Sequence, residues 1–409
     1  MYLFIPCLIL VIGAFLYAFF PVFKFEKPTG KYQIGTKIYH FTDSLRNEIF
    51  TENVGQKREM MVQIWYPTDQ KSNNNFAPYI EDSKTKTTAV AELFGYPKIC
   101  FSQLQYVKSN AIYNAGVSHI KEKYPVLIYL TGVNGSRQFS TFQIQELVSQ
   151  GYIVAGIDNP GAVASVCFPD GRTIKGLPLE KIKALIDQSF ENLPTTPSLN
   201  NIELQDGIIP YFSDDVSFVI NCLEKINTHD LQNILTQHID LTKIGVFGVS
   251  LGGIVAAEAS VKDNRIKACL IMESRISKNV MEAGIQIPTM IITRSAETMR
   301  LERKKSGGWT EKDIEIHQYT MKNIYDRLPS DGYFIQIPKI FHIDFLDLPL
   351  WFPYGKYIGL TGEMETKQAH QIINDFSVAF FDKALMGISS EFLKYPEKKY
   401  PEIVYLRKY

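Results

Sequence analysis

The chain has 409 residues, a formal net charge of zero, 45% hydrophobic residues and 21% charged residues. Those proportions suit a globular chain with a sizeable core and exclude global disorder. The balanced charge leaves no electrostatic footprint for nucleic acid as a main partner.

Met1 to Phe23 carries no charged side chain, and Lys24 is the first. A run of that length is enough to span a hydrocarbon core of roughly 30 Å as a helix. Residues 1–24 are therefore read as a hydrophobic segment, and residues 30–409 as one catalytic domain. A cleaved signal fits less well. The n-region lacks Lys and Arg, and cleavage after Ala14 or Ala18 would put Ile12 or Leu16 at the −3 position. The expectation is a membrane-associated chain with a single N-terminal anchor, or a secreted or periplasmic one if the segment is cleaved. Lys24, Lys27 and Lys31 weakly favour a cytoplasmic position for the catalytic domain.

From about Thr36 the pattern becomes globular. Met60–Tyr66 reads as a strand ended by a turn at Pro67. Residues 79–118 are mixed, with helical parts. Val126–Leu130 is an apolar strand covered on both faces, and it leads into a loop at Thr131-Gly132-Val133-Asn134-Gly135. Phe142–Ser149 predicts a helix, Tyr152–Ile157 a buried strand, and Asp158–Gly161 a turn. A loop at Pro194–Asn201 and a helix at Asp214–Ile226 come next. Lys243–Phe247 is a strand and Ile254–Ser260 a small-residue helix. Ala268–Met272, Thr289–Thr293 and Tyr333–Ile337 are further strands, and Thr366–Leu385 is a closing amphipathic helix. Strands alternating with helices imply an α/β fold with a mostly parallel central sheet and helices on both faces. Active sites of such sheets lie at the carboxyl ends of the strands.

Gly248-Val249-Ser250-Leu251-Gly252 matches G-x-S-x-G, placed between a strand and a helix. That pattern presents a nucleophilic serine on a sharp turn, the elbow of the α/β-hydrolase fold. The backbone N–H groups of Leu251 and of Val133, in the loop after the earlier strand, are the expected oxyanion donors. The base should be a late histidine. His317 lies in a charged, helix-like stretch, and His370 in the closing helix on a face expected to be at the surface. His342 directly follows the last predicted strand and is the expected base. The third member should be a carboxylate that ends a strand, and position alone leaves Glu273 and Glu297 open. Asp344 is too near His342 in the chain to face it from across the sheet. Neither HExxH nor CxxC occurs, and no cofactor or metal is expected. The five cysteines are scattered, and Cys269 is expected to be a buried free thiol.

From about Met60 to Leu385 the chain resembles the plasma-type (group VII) platelet-activating-factor acetylhydrolases. Tyr124-Pro125 with the strand and Gly loop after it is similar to the family's YP…HGLG segment, and Gly248–Gly253 to its GHSFGG elbow. Phe341–Phe345 resembles its histidine segment, and Tyr354–Gly359 with Gly362-Glu363-Met364 the tail beyond it. The resemblance implies Ser250 as nucleophile and His342 as base. The family's acid stands 23 residues past the serine, which is Glu273 here, although the family has Asp. Thr131 and Val249 stand where the family has histidines, which implies an altered pocket wall. The implied reaction is cofactor-free hydrolysis of phospholipid or other lipid esters with short or oxidised acyl chains. The alternatives are a small-ester carboxylesterase related to dienelactone hydrolases and an inactive hydrolase fold used for binding. The apolar stretch Leu348–Tyr354 is read as an acyl-binding wall, a membrane-facing surface or plain core.

Overall fold

The computed structural model of the protein describes residue 13 and residues 18–53, 55–71 and 75–408. Most of the apolar segment 1–24 falls outside these residues. Among the described residues, no helix is long and apolar enough to cross a membrane.

The chain opens with two long antiparallel strands, β1 (Gln33–Asn47) and β2 (Lys57–Thr68). β3 (Phe76–Pro78), α1 (Ser83–Phe94), a 3-10 segment and β4 (Lys108–Tyr113) complete this edge. β5 (Tyr124–Leu130), α2 (Thr141–Ser149) and β6 (Ile153–Asp158) form the first parallel crossover. Two small hairpins come next, β7 (Ser165–Cys167) with β8 (Thr173–Lys175) and β9 (Ser198–Leu199) with β10 (Ile202–Glu203), with α3 (Leu179–Asp187) between them. α4 (Ile209–Thr228) returns the chain to β11 (Ile239–Val249). After β11 come α5 (Leu251–Lys262), β12 (Ile266–Met272), α6 (Lys278–Ala283) and β13 (Thr289–Thr293). α7 (Ala296–Ser306) and α8 (Glu311–Arg327) form a helical pair ahead of β14 (Gly332–Gln336). The short α9 (Leu348–Trp351), the long α10 (Thr366–Met386) and β15 (Val404–Arg407) close the fold.

Among the described residues the main sheet has the order β15-β14-β13-β12-β11-β5-β6-β2-β1-β4-β3. The central run from β6 through β5 and β11 to β14 is parallel. The chain leaves β5 through α2 toward β6, then returns through α4 to β11 on the other side. The strand order therefore reverses between β5 and β11, and in sheets of this kind the site lies at the carboxyl ends of the strands beside such a reversal.

The period-2 alternation of the strands explains the two-faced core. Leu127 and Tyr129 of β5 pack toward α2 and α10, whereas Val126, Ile128 and Leu130 pack toward α4 and α5. All seven residues of β5 are buried, as its unbroken apolar run required. Each such side chain contributes about 1.5–3 kcal/mol through burial. Cys269 is a buried free thiol, as expected.

Two expectations need correction, and one open alternative is decided. The β2 strand does not stop before Pro67 but runs to Thr68. Pro67 opposes Ile34 of β1, beyond the Met61–Trp65 stretch that pairs with β6, so its missing N–H removes no bond on that side. His370 is buried, not at the surface. Its ring stacks on Phe142 at 3.7 Å, and its Nε2 lies 3.0 Å from the Leu346 carbonyl. The Leu348–Tyr354 stretch is mainly core: Leu348, Trp351 and Phe352 are buried, and Tyr354 is exposed.

Candidate active site

The candidate residues follow the carboxyl ends of β5, β11, β12 and β14. Ser250 follows β11 directly, with φ 57° and ψ −125°. A serine held there stores backbone strain, which persists only where the surroundings enforce it. Its N–H donates to the Met272 carbonyl at 3.0 Å, and its own carbonyl accepts from Gly253 and Ile254. The flanking glycines are steric requirements. A Cβ on Gly252 would come within 2.0 Å of the Leu130 carbonyl oxygen, and one on Gly248 within 2.3 Å of the Gly252 backbone.

Leu251 is the first residue of α5, so its N–H has no partner within the helix and sits at the positive end of the helix dipole. The loop after β5 lies against the serine: a Cβ on Gly132 would be 3.1 Å from the Ser250 Cβ. The loop is pinned on its far side, where Asn134 N–H donates to Ala162 at 2.7 Å and Gly135 N–H to Gly132 at 3.1 Å. Further along, the buried Asp158 accepts from the Arg137 N–H at 2.7 Å and from Lys86 Nζ at 2.9 Å. Val133 is thus carried by a loop anchored at both ends. Val249 is fully buried in the core on the α2 and α10 face, and Thr131 is buried with its Oγ1 facing Gly135. These two departures from the family pattern fall in packing positions.

Glu273 follows β12 with φ 49° and is buried. Its Oε1 accepts from Arg294 Nε at 2.7 Å, and its Oε2 from the Thr293 hydroxyl at 2.9 Å. Burial, the largest single influence, would raise its pKa, but the Arg294 guanidinium and the neighbouring His317 and His342 together outweigh it and hold the carboxyl well below its usual range. Glu297, the other open candidate, is exposed on the first turn of α7.

His342 opens a 3-10 turn, His342–Phe345, shortly after β14. Its Nδ1 stands 3.7 Å from Glu273 Oε1, and its side chain is 25% exposed. Such bonds are often long without substrate and tighten in the reacting complex. Asp344 holds the turn rather than facing the imidazole. Its Oδ2 accepts from the N–H groups of Phe341 and Gly362, at 2.5 and 2.7 Å, while burial raises its pKa to about 6.

His317 is not on a solvated helix face. It is 1% exposed, with Nε2 also 3.7 Å from Glu273 Oε1, and burial pushes its pKa down to about 4. The α7–α8 pair folds over the ends of β12 and β13 and brings this histidine inward. Of the two imidazoles beside Glu273, only that of His342 has access to solvent.

Three more residues belong to the cluster and were missed in the sequence. Arg294 also binds Glu302 Oε2 through Nη1 at 2.5 Å. Glu302 accepts the His342 backbone N–H at 3.1 Å and the Trp309 indole N–H at 3.0 Å. The Trp309 ring packs edge-on against both His317 and His342, at 5.4 and 5.6 Å. A capping box, with Thr310 accepting from the Asp313 N–H and Asp313 from the Thr310 N–H, starts α8 just beyond it. One signal was available: Arg294 ends a strand, as Glu273 does.

Comparison with known proteins places the chain in a family and a fold. The sequence profile of the family "Platelet-activating factor acetylhydrolase, isoform II" matches residues 17–399. A probable 1-alkyl-2-acetylglycerophosphocholine esterase of Arthroderma benhamiae is 24% identical over 94% of this chain and 94% of its own length. The platelet-activating factor acetylhydrolase of Gallus gallus is 21% identical over 68% of this chain and 65% of its own. Among solved structures, a ferulic acid esterase from Streptomyces cinnamoneus shares the fold, with a TM-score of 0.71 and 23% identity over 94% of this chain and 100% of that one. With an α/β-hydrolase fold and a profile match across most of its length, the chain belongs to the platelet-activating factor acetylhydrolase isoform II family and is a serine carboxylic-ester hydrolase.

Proposed function

We propose that the chain hydrolyses lipid esters with short or oxidised acyl groups, of the 1-alkyl-2-acetylglycerophosphocholine kind, through an acyl-enzyme on Ser250. Ser250 Oγ attacks the ester carbonyl while His342 takes its proton. The N–H groups of Val133 and Leu251 receive the oxyanion, and Glu273 orients and stabilises the imidazolium. The leaving alcohol takes the proton from His342. Water, activated by the same histidine, then releases the acid and restores the serine. One observation carries the reading: the strained Ser250 turn lies against Gly132, and the Glu273–His342 pair stands at the next strand ends. The family and the named activity of the Arthroderma relative favour a lipid ester. The apolar N-terminal segment favours action at a membrane.

The direct test is Ser250→Ala, together with labelling by a fluorophosphonate probe. The wild type should label at Ser250 and hydrolyse p-nitrophenyl acetate. The variant should do neither while keeping its fold. Retained turnover in the variant would end the assignment. A higher rate on micellar phospholipid than on monomeric esters would separate a lipid esterase from a small-ester carboxylesterase.

A further inference from the structure

An acid that orients a catalytic imidazole also stabilises positive charge on it. Here the same carboxylate oxygen that faces His342 is bound by a guanidinium, Arg294 Nε at 2.7 Å. Taken alone, that contact cancels much of the field His342 needs. A second carboxylate, Glu302, lies on the other side of Arg294 at 2.5 Å. Glu273, Arg294 and Glu302 together carry one net negative charge. The side chains of Glu273 and Arg294 are fully buried and that of Glu302 is 10% exposed, so water screens the group weakly. Glu302 also holds the His342 backbone N–H at 3.1 Å, linking charge balance to the base's position.

We propose that Arg294 and Glu302 are positioning residues that set the charge balance at His342: Arg294 fixes the Glu273 carboxylate, and Glu302 restores the negative field that Arg294 removes. This rests on the assignment of Ser250, His342 and Glu273 above. The other charged or titratable groups around His342 are accounted for. On α8, His317 faces Glu273 and is kept neutral by burial. On the base's own turn, Asp344 is engaged by two backbone N–H groups. At the end of α7, Lys305 lies over the Phe341 ring and pairs with Glu363 at 3.4 Å.

The test is the pH profile of kcat/KM for p-nitrophenyl acetate, measured on the full chain. His342 must be neutral to accept the proton, so activity rises with pH through its ionisation. Glu302→Gln removes a negative charge and makes the imidazolium harder to form. Its acid limb should move to lower pH by about half a unit or more, with kcat falling about ten-fold or more. Arg294→Met removes a positive charge, and its limb should move to higher pH. Arg294→Lys keeps the charge and should return the limb to the wild-type position. Each charge variant is decisive alone, so misfolding of one leaves the other to decide. Limbs that stay at the wild-type pH, or that move in the same direction in both variants, would overturn the proposal. Fluorophosphonate labelling of Ser250 in the same samples reports separately on the underlying assignment.

Discussion

The Ser274 hydroxyl donates to the main-chain carbonyl of Ser250 at 2.7 Å. It also reaches the Met272 carbonyl at 2.8 Å, the same group that accepts the Ser250 N–H. The residue after the proposed acid thus holds the turn that bears the proposed nucleophile. Ser274→Ala removes this support without touching a reacting group. The expected loss is about 1 kcal/mol of stability, seen in urea unfolding. In steady-state hydrolysis of p-nitrophenyl acetate, kcat should fall several-fold while KM stays near the wild-type value. An unchanged kcat would mean that the strained turn holds without Ser274.

Gly132 tests the loop on the opposite side of the serine. A Cβ there meets the Ser250 Cβ at 3.1 Å, a contact that a shift of a few tenths of an ångström relieves. Gly132→Ala should therefore fold, but with the adjoining Val133 N–H displaced from its proposed place as an oxyanion donor. Loss of one such donor costs about 10²–10³ in kcat. The measurement is kcat and KM beside a thermal melt. A variant with near-normal kcat would place the second donor elsewhere.

His317 bears on stability rather than rate. Its folded pKa of about 4 lies below the unfolded value near 6.5, because the interior keeps the ring neutral. The folded state binds fewer protons than the unfolded one between those values. Its contribution is full above pH 6.5 and drains away as pH falls toward 4, by up to about 3 kcal/mol. His317→Gln removes the titration. The stability gap between wild type and variant, measured by urea unfolding, should be widest near pH 7.5 and narrow steadily toward pH 4.5. Parallel curves across that range would show that the buried ring does not titrate as described. His370 shares the direction of shift and is retained in both proteins, so it leaves the difference untouched.

The central strands were readable because each is a short apolar run with a turn signal at its end. That pattern survives in sequence whatever the tertiary partners are. The β1 strand was not, since its exposed positions break the alternation and its pairing with β2 is long-range. Ser250 was legible from its glycines, whose requirement is local. His317, Arg294 and Glu302 were not, because their meaning comes from α7 and α8 folding over the ends of β12 and β13. A charged amphipathic stretch reads as a solvated helix until the element it covers is known. Glu302 sits in a run with Arg300, Arg303 and Lys304, and nothing local distinguishes its buried carboxylate from their solvated charges.

The N-terminal segment is docked on the domain at its described end. Phe19 packs on Tyr354 with ring centroids 5.2 Å apart, Phe20 on Phe352 at 6.1 Å, and Phe23 on Tyr79 at 5.8 Å. Around them Val22, Tyr357 and Ile358 are exposed. The apolar run therefore meets the domain at a face that already displays aromatic and aliphatic side chains, as an interfacial lipid contact would require. Removing residues 1–23 takes away those three rings and uncovers Phe352 and Tyr79. The full chain should co-sediment with phosphatidylcholine vesicles, and the truncated chain should do so far less. Its kcat on a monomeric short-chain ester should remain within about two-fold of the full chain, because Ser250, Glu273 and His342 follow strand ends that the segment does not build, and uniform loss of binding surface leaves the chemical step alone. Equal sedimentation of both forms would assign the membrane contact to the domain surface around Tyr357 and Ile358 rather than to the segment.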